Sequence, residues 1–270
     1  MPMDHAAVIT TITDALKPAP EIRALFLGGS YGTGHADAYS DIDFVMVTPD
    51  GSTDHITALW RQAVEQTGDI ILWWDNKPHS VLINAITADW TRTDVIIQTP
   101  EQMGNRAQDA LKPLFDHDDL YSGLRKTTPY TARAPARFTH QVEEFIRIIG
   151  LTPLALGRQE YLNGVLGVQF LRNALVDLLI EENEVADRGG ILHLNRLITD
   201  DQKALLMSMP TPAPAAKDII AANLAYAAAY LPRARKMAAQ IGADWPELFE
   251  STTWAHLKDT LGLQKPYDLD

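Results

Sequence analysis

Two carboxylates one residue apart at the mouth of an apolar strand constrain a fold severely, and this chain carries such a pair. Asp41 and Asp43 flank Ile42 at the start of the run IDFVMV, which stops at the turn Thr48-Pro49-Asp50-Gly51. Alternate residues of a strand share a face, so the two acids project together while Ile42 turns into the core. Like charges on one face are costly unless a cation neutralises them. Mg²⁺ suits the position, because it takes oxygen ligands and is held by one or two carboxylates plus substrate phosphates.

The chain just upstream supplies a complement. Residues 22–27 (IRALFL) read as a buried strand that stops at Gly28-Gly29-Ser30. Glycine lets a backbone approach a ligand closely. A helix opening near Ser30 would turn free N–H groups and its dipole toward phosphate, and Ser30 adds a hydroxyl donor. A phosphate cradle beside a paired-carboxylate metal site implies a nucleoside triphosphate bound through Mg²⁺.

The rest of the first half continues as mixed α/β. Residues 5–16 and 53–66 predict helices. Residues 69–74, 80–86 and 93–98 predict further strands, the first two joined by the turn at residues 75–79. Pro100 fits the first turn of a new helix. After Pro129 the period changes. Residues 138–149, 155–184 and 216–239 predict long helices, with shorter ones near 191–197, 201–207 and 246–261. The expected architecture is an α/β domain over residues 1–120, with a mixed sheet of four or five strands, followed by an all-α bundle over 121–270.

Charge divides the same way. Residues 1–120 hold 18 acidic and 7 basic residues, residues 121–270 hold 17 and 16, and the whole chain has a net charge of −12. Polynucleotide binding needs basic residues to neutralise phosphates, so no nucleic-acid partner is expected. No window approaches the roughly 20 apolar residues of a membrane span. The absence of cysteine excludes disulfides, thiol catalysis and thiolate-held zinc. It fits a reducing cytoplasm, the expected location, and Met1–His5 shows no basic segment leading an apolar stretch of the signal-peptide kind.

The segment from Leu27 to Val47 resembles the nucleotidyltransferase superfamily related to DNA polymerase β. The shared pattern is an apolar residue, Gly, Gly or Ser, roughly ten residues, then Asp-x-Asp between apolar residues. Gly29-Ser30 is the matching pair, with Asp41-Ile42-Asp43 following. The resemblance implies a third carboxylate on a neighbouring strand, as metal ligand or as general base. Asp94, in front of Val95–Ile97, matches best; Asp89 and Glu101 match less well. It also implies two Mg²⁺ ions, ATP or another NTP as co-substrate, and attack of a substrate hydroxyl on the α-phosphate with departure of pyrophosphate.

Length and layout resemble the antibiotic-modifying branch, the aminoglycoside and lincosamide nucleotidyltransferases. The resemblance implies AMP transfer to a small hydroxylated acceptor seated between the two domains. Between Tyr161 and Ile180 the chain is apolar almost all round, with Arg172 and Asp177 its charged residues. They stand about 140° apart on a helix and so do not pair with each other. On this reading Arg172 reaches the triphosphate, while Asp177 and Glu181 face a cationic acceptor. Two rivals stay open: a protein-directed AMP-transferase of toxin–antitoxin type, and a non-catalytic nucleotide-binding module on the same fold. The oligomeric state, a homodimer included, also stays open. His35, His193, Trp73 and Trp74 read as loop, interface or core residues before they read as catalytic ones. No zinc-protease, P-loop or serine-hydrolase motif is present.

Overall fold

A computed structural model describes residues 4–51, 53–75, 82–186 and 193–268. The chain forms two compact units, Met1–Pro129 and Tyr130–Asp270. The border falls after the expected 120/121 because residues 121–128 fold back on the first unit. Gln108 N donates to Arg125 O at 2.9 Å, and Thr128 N donates to the Asp109 carboxylate at 2.9 Å.

The first unit runs α1 (His5–Leu16), β1 (Ala24–Leu27), α2 (Gly29–Gly32), β2 (Ile42–Val47), α3 (Asp54–Glu65), β3 (Ile70–Asp75), β4 (Leu82–Thr87), β5 (Arg92–Gln98), α4 (Pro100–Met103) and β6 (Lys112–Asp116). The turn expected after Asp75 and the start of the strand expected from Ser80 lie outside the described residues. The sheet has order β3-β4-β5-β2-β1-β6. β2 and β5 run parallel; the other neighbours are antiparallel. Among the described residues it has six strands rather than four or five. The added one, β6, holds Lys112, Pro113 and Asp116, a composition that hides a strand. Proline cannot donate to a ladder but is tolerated on an edge, where β6 lies.

Period-two alternation decides what each face carries. Ile42, Phe44 and Met46 of β2, with Val95 and Ile97 of β5, pack on Val8 and Ile12 of α1 and on Ile56 and Trp60 of α3. Val45 and Val47 point the other way, over Ala24, Phe26, Met103 and Leu111. Asp43 shares that second face, turned from the helix-covered core.

The second unit is helical: α5 (Pro135–Gly150), α6 (Thr152–Gly157), α7 (Tyr161–Glu181), α8 (Leu194–Leu197), α9 (Asp200–Ser208), α10 (Ala216–Ile241) and α11 (Glu247–Leu261). The first residues of the helix expected near 191–197 lie outside the described residues. The single helix expected over 155–184 is two. Gly157 ends α6, and Gln159 takes the left-handed region at φ +58° before α7 begins. Nor is α7 buried along its whole length. Leu171, Leu175 and Leu179 are core, but Leu162 and Leu166 are 75% and 68% exposed. Phe145 of α5 stacks on Tyr230 of α10, with centroids 3.9 Å apart, at the centre of this unit. Among the described residues, no helix is long and apolar enough to cross a membrane.

Candidate active site

The glycine turn and the acidic strand fit each other at close range. Gly28 N donates to Asp43 O at 2.8 Å, which extends the β1–β2 ladder by one rung. The chain then bends into α2 through Gly29, whose φ of +48° is left-handed. A Cβ at Gly29 would stand 2.8 Å from Asp43 Cγ and closer still to Oδ2. Glycine therefore allows the turn to close over the Asp43 carboxylate. Gly32 is required for a similar reason, since a Cβ there would strike Ala110 O and lie 2.9 Å from Leu27 O.

Ser30 follows, 7% exposed, and its Oγ has no hydrogen-bond partner among the described residues. A buried hydroxyl without a partner is costly and calls for an acceptor or donor from elsewhere. The leading N–H groups of a helical turn likewise lack intrahelical acceptors. Gly29 and Ser30 thus form a polar cradle beside Asp43.

The parallel pairing of β2 with β5 puts Asp43 and Asp94 side by side in register. Asn84 of β4 lies opposite Asp94 and hydrogen-bonds its carboxylate. Arg92, two residues before Asp94 on the same face, brings Nη1 to 3.7 Å from Asp41 Oδ2 and donates through Nη2 to Tyr39 O at 2.8 Å. Burial, then the charges of Asp41 and Asp94, push Asp43 up to about 6, against the lowering pull of Arg92. Burial and Asp41 also raise Asp94, opposed by Asn84 and Arg92.

Asp43 thus feels both other acids and Asp94 feels Asp41, and the opposing pull of Arg92 leaves Asp43 and Asp94 raised. Such a donor set of hard oxygens suits a divalent cation. Asp43 and Asp94 form its inner part. Asp41, about one-third exposed, leans to Arg92 at the rim. Among the described residues, no three His, Asp or Glu side chains converge into a ready-made metal cluster.

The remaining candidates fall elsewhere. Asp89 caps the β4–β5 turn, accepting from Thr87 Oγ1 at 2.6 Å and Thr91 N at 3.2 Å. Glu101 lies exposed in the first turn of α4, where a carboxylate complements the helix dipole. His35 is exposed in the α2–β2 loop, and His193 immediately precedes α8. Trp73 packs against the first unit's core beneath Arg61, while Trp74 is 61% exposed.

In the helical unit Arg172 Nη1 donates to Tyr226 Oη at 3.1 Å, joining α7 to α10. Asp177 is exposed and accepts from Gln141 Nε2 at 3.5 Å. Glu181 does not share its setting: it is buried, accepting from Tyr130 Oη at 2.8 Å and Arg133 N at 3.2 Å, with Arg133 Nε at 3.7 Å. Its charge is engaged inside the unit. Sequence reasoning missed Arg92 and Asn84. Arg92 had a readable signal, an i, i+2 spacing to Asp94 within one strand. Asn84 had none, because its role depends on the β4–β5 register.

Residues 9–87 match the family model described as the nucleotidyltransferase domain. The match spans Gly29, Ser30, Asp41 and Asp43; Asp94 follows it. No curated protein matches the chain. Three solved structures are similar at low identity. An aminoglycoside 6-adenyltransferase from Bacillus subtilis is 14% identical, with a TM-score of 0.43 over 92% of this chain and 95% of that one. The spectinomycin adenyltransferase AAD(9) from Enterococcus faecialis, with ATP and spectinomycin, is 13% identical, with a TM-score of 0.31 over 82% and 98%. The CdnE cyclic dinucleotide synthase from Elizabethkingia meningoseptica, with GTP and Apcpp, is 15% identical, with a TM-score of 0.27 over 91% and 81%.

Proposed function

We propose that the protein transfers AMP from ATP to a hydroxyl of a small cationic acceptor of the aminoglycoside or lincosamide class, in the presence of Mg²⁺. The observation that carries this reading is the Asp43 carboxylate, enclosed between the Gly29 turn and Asp94 and only partly neutralised by Arg92. It lies within the matched nucleotidyltransferase domain.

In the proposed reaction the acceptor oxygen forms a bond to the α-phosphorus. The bond from that phosphorus to the oxygen bridging to the β-phosphate breaks, and its electron pair leaves with pyrophosphate. Asp41, Asp43 and Asp94 would hold divalent metal, which supplies charge neutralisation at the attacking and leaving oxygens. Ser30 and the first-turn N–H groups of α2 orient phosphate oxygens. The acceptor proton passes to a carboxylate or to solvent. Asp94, raised by burial and fixed by Asn84, serves as that base if it is not spent as a ligand.

The acidic balance of residues 1–120 suits a cationic acceptor. The helical unit's part in this reading falls to Arg172 for the triphosphate and Asp177 for the acceptor. Glu181 contributes by holding Arg133 rather than by touching ligand.

The test is direct. The protein is incubated with Mg²⁺, each NTP in turn, and a panel of aminoglycosides and lincosamides. Pyrophosphate release and the acceptor's mass are followed. The expected result is release with ATP and one acceptor class, together with a mass gain of one AMP group. Release that persists undiminished in Asp43→Asn, or none with any acceptor, overturns the reading. A thermal shift with Mg²⁺ separates the two roles of Asp94: Asp94→Asn keeps the shift if Asp94 is the base and loses it if Asp94 is a ligand.

A further inference from the structure

We propose that Trp90 is an acceptor-binding residue whose indole face receives a saturated ring bearing an ammonium group. The proposal rests on the transfer reading above and adds to it the residue that recognises the acceptor. Trp90 closes the β4–β5 turn, where backbone and side chain are badly matched. Its φ is +66°. That left-handed region suits glycine, and a bulky L-residue there is strained. The last position of a three-residue hairpin loop often takes this conformation and then favours glycine. Among the described residues, the other non-glycine positions with positive φ hold Asp119, Gln159 and Glu184, all polar.

Folding does not account for the tryptophan. The turn is held without its side chain. Trp90 N donates to Thr87 O at 2.8 Å, Thr87 N donates to Thr91 O at 3.0 Å, and Asp89 Oδ1 accepts from Thr87 Oγ1 and Thr91 N. The indole is 72% exposed, and no ring contact or hydrogen bond engages it among the described residues. Trp60 and Trp254, by contrast, are buried, and Trp245 lies under Arg235 while donating to Glu250. A large ring kept in water on a strained residue is what a ligand clamp looks like before its ligand arrives.

The turn stands on the side from which an acceptor would attack. The sheet runs β4-β5-β2-β1, so the Gly29–Ser30 cradle after β1, then Asp43, then Asp94 succeed one another toward β4. In-line displacement puts the attacking and leaving oxygens on opposite sides of the phosphorus. With phosphates on the cradle, the acceptor arrives from β5 and β4. Trp90 precedes Asp94 by four residues, about 13 Å of extended chain, a distance that an acceptor of two or three rings spans. Asp41, Asp89 and Asp94 outnumber Arg92 around it. The surroundings therefore favour a cation, which an indole face also attracts.

The experiment measures steady-state transfer by the full chain with Mg²⁺ and ATP, using streptomycin, kanamycin A and lincomycin as acceptors. Trp90→Gly is expected to raise the KM of the acceptor that reacts at least about fivefold. The KM for ATP and kcat stay within about twofold, and the thermal midpoint rises because glycine relieves the strain. Trp90→Phe, which keeps a π-face, stays within about twofold of the parent KM, whereas Trp90→Leu, apolar without one, resembles Trp90→Gly. An unchanged acceptor KM in Trp90→Gly overturns the proposal, and so does a rise in the KM for ATP instead. A fall in thermal midpoint also overturns it, because the ring would then serve the fold. Equal rescue by Leu and Phe removes the ammonium contact. If the unaltered protein transfers to none of the three, the transfer reading fails and this proposal falls with it. If it transfers and Trp90→Gly does so at the same acceptor KM, the transfer reading stands and the role of Trp90 alone is refuted.

Discussion

Each unit shields a carboxylate from solvent, Asp43 half-buried and Glu250 buried, and the two are treated in opposite ways. Asp43 in the first unit is pushed up to about 6 by burial and by Asp41 and Asp94. Glu250 of α11, 3% exposed, is held near 2. Burial raises Glu250 as well, but Tyr267 Oη at 2.6 Å, Trp245 Nε1 at 2.7 Å, Lys265 Nζ at 3.1 Å and Arg235 Nη2 at 2.6 Å outweigh it. Glu250 is saturated with donors from its own chain. Asp43 has a glycine where a donor could stand and two acids for neighbours. A carboxylate left in that state is reserved for something that binds, whereas Glu250 ties the C-terminal segment to the bundle.

Substitution should separate the two roles most sharply. Asp43→Asn is expected to lower transfer by at least about a thousandfold while leaving the fold intact. Removing a destabilised charge should stabilise the first unit at pH 8 by on the order of 1 kcal/mol, after allowance for solvent screening. Glu250→Ala should do the reverse, destabilising the helical unit by about 3 kcal/mol because Lys265, Trp245 and Tyr267 lose their acceptor and Arg235 keeps only Glu247. Turnover per folded molecule should stay near the unaltered value. Steady-state kinetics and urea unfolding of both variants check the pair. An active Asp43→Asn, or a Glu250→Ala as stable as its parent, would erase the distinction.

These two sites were not equally readable from sequence. Asp41-Ile42-Asp43 and Gly28-Gly29-Ser30 lie within sixteen residues, and strand period and glycine freedom are local properties. Their meaning survives without knowledge of the fold. Asp94 was reachable because Val95–Ile97 mark its strand, yet its pairing with Asp43 follows from the parallel β2–β5 register, a long-range fact. The Glu250 cluster draws Arg235, Trp245, Lys265 and Tyr267 from three segments, and nothing in their spacing announces it. β6 was hidden by Pro113, and the break between α6 and α7 by Gln159 in a conformation that favours glycine. Long helices in the second unit were visible from period alone, but which part of α7 is covered depends on neighbours.

A smaller effect probes the glycine side of the contrast. Gly29→Ala puts a Cβ against the Asp43 carboxylate and a non-glycine residue at φ +48°. The strain should cost about 1–2 kcal/mol of stability. Because the carboxylate must shift, the variant should also weaken the thermal stabilisation by Mg²⁺ more than an exposed substitution such as Tyr39→Ala does. Equal Mg²⁺ shifts in the two variants would show that the close fit of turn and strand is packing alone.

The smallest effect is one of pH, and its sign differs between the units. Asp43 is an acid whose folded value, about 6, lies above its ordinary one, so the folded state binds the proton more readily. The first unit should therefore lose stability as pH rises from about 4 to about 6 and keep that penalty above. Glu250 is an acid whose folded value, about 2, lies below its ordinary one. Its contribution is complete above about 4.5 and is lost as pH falls toward 2. Acidification from pH 7 should thus first tighten the sheet around β2 and β5, then loosen the packing of α11. Hydrogen exchange measured separately for peptides of the two units, and repeated in Asp43→Asn and Glu250→Gln, reads each slope. Each variant should flatten the slope of its own unit and leave the other unchanged. If both units weaken together across the whole range, general charge repulsion is the cause, and the two carboxylates have no special claim on it.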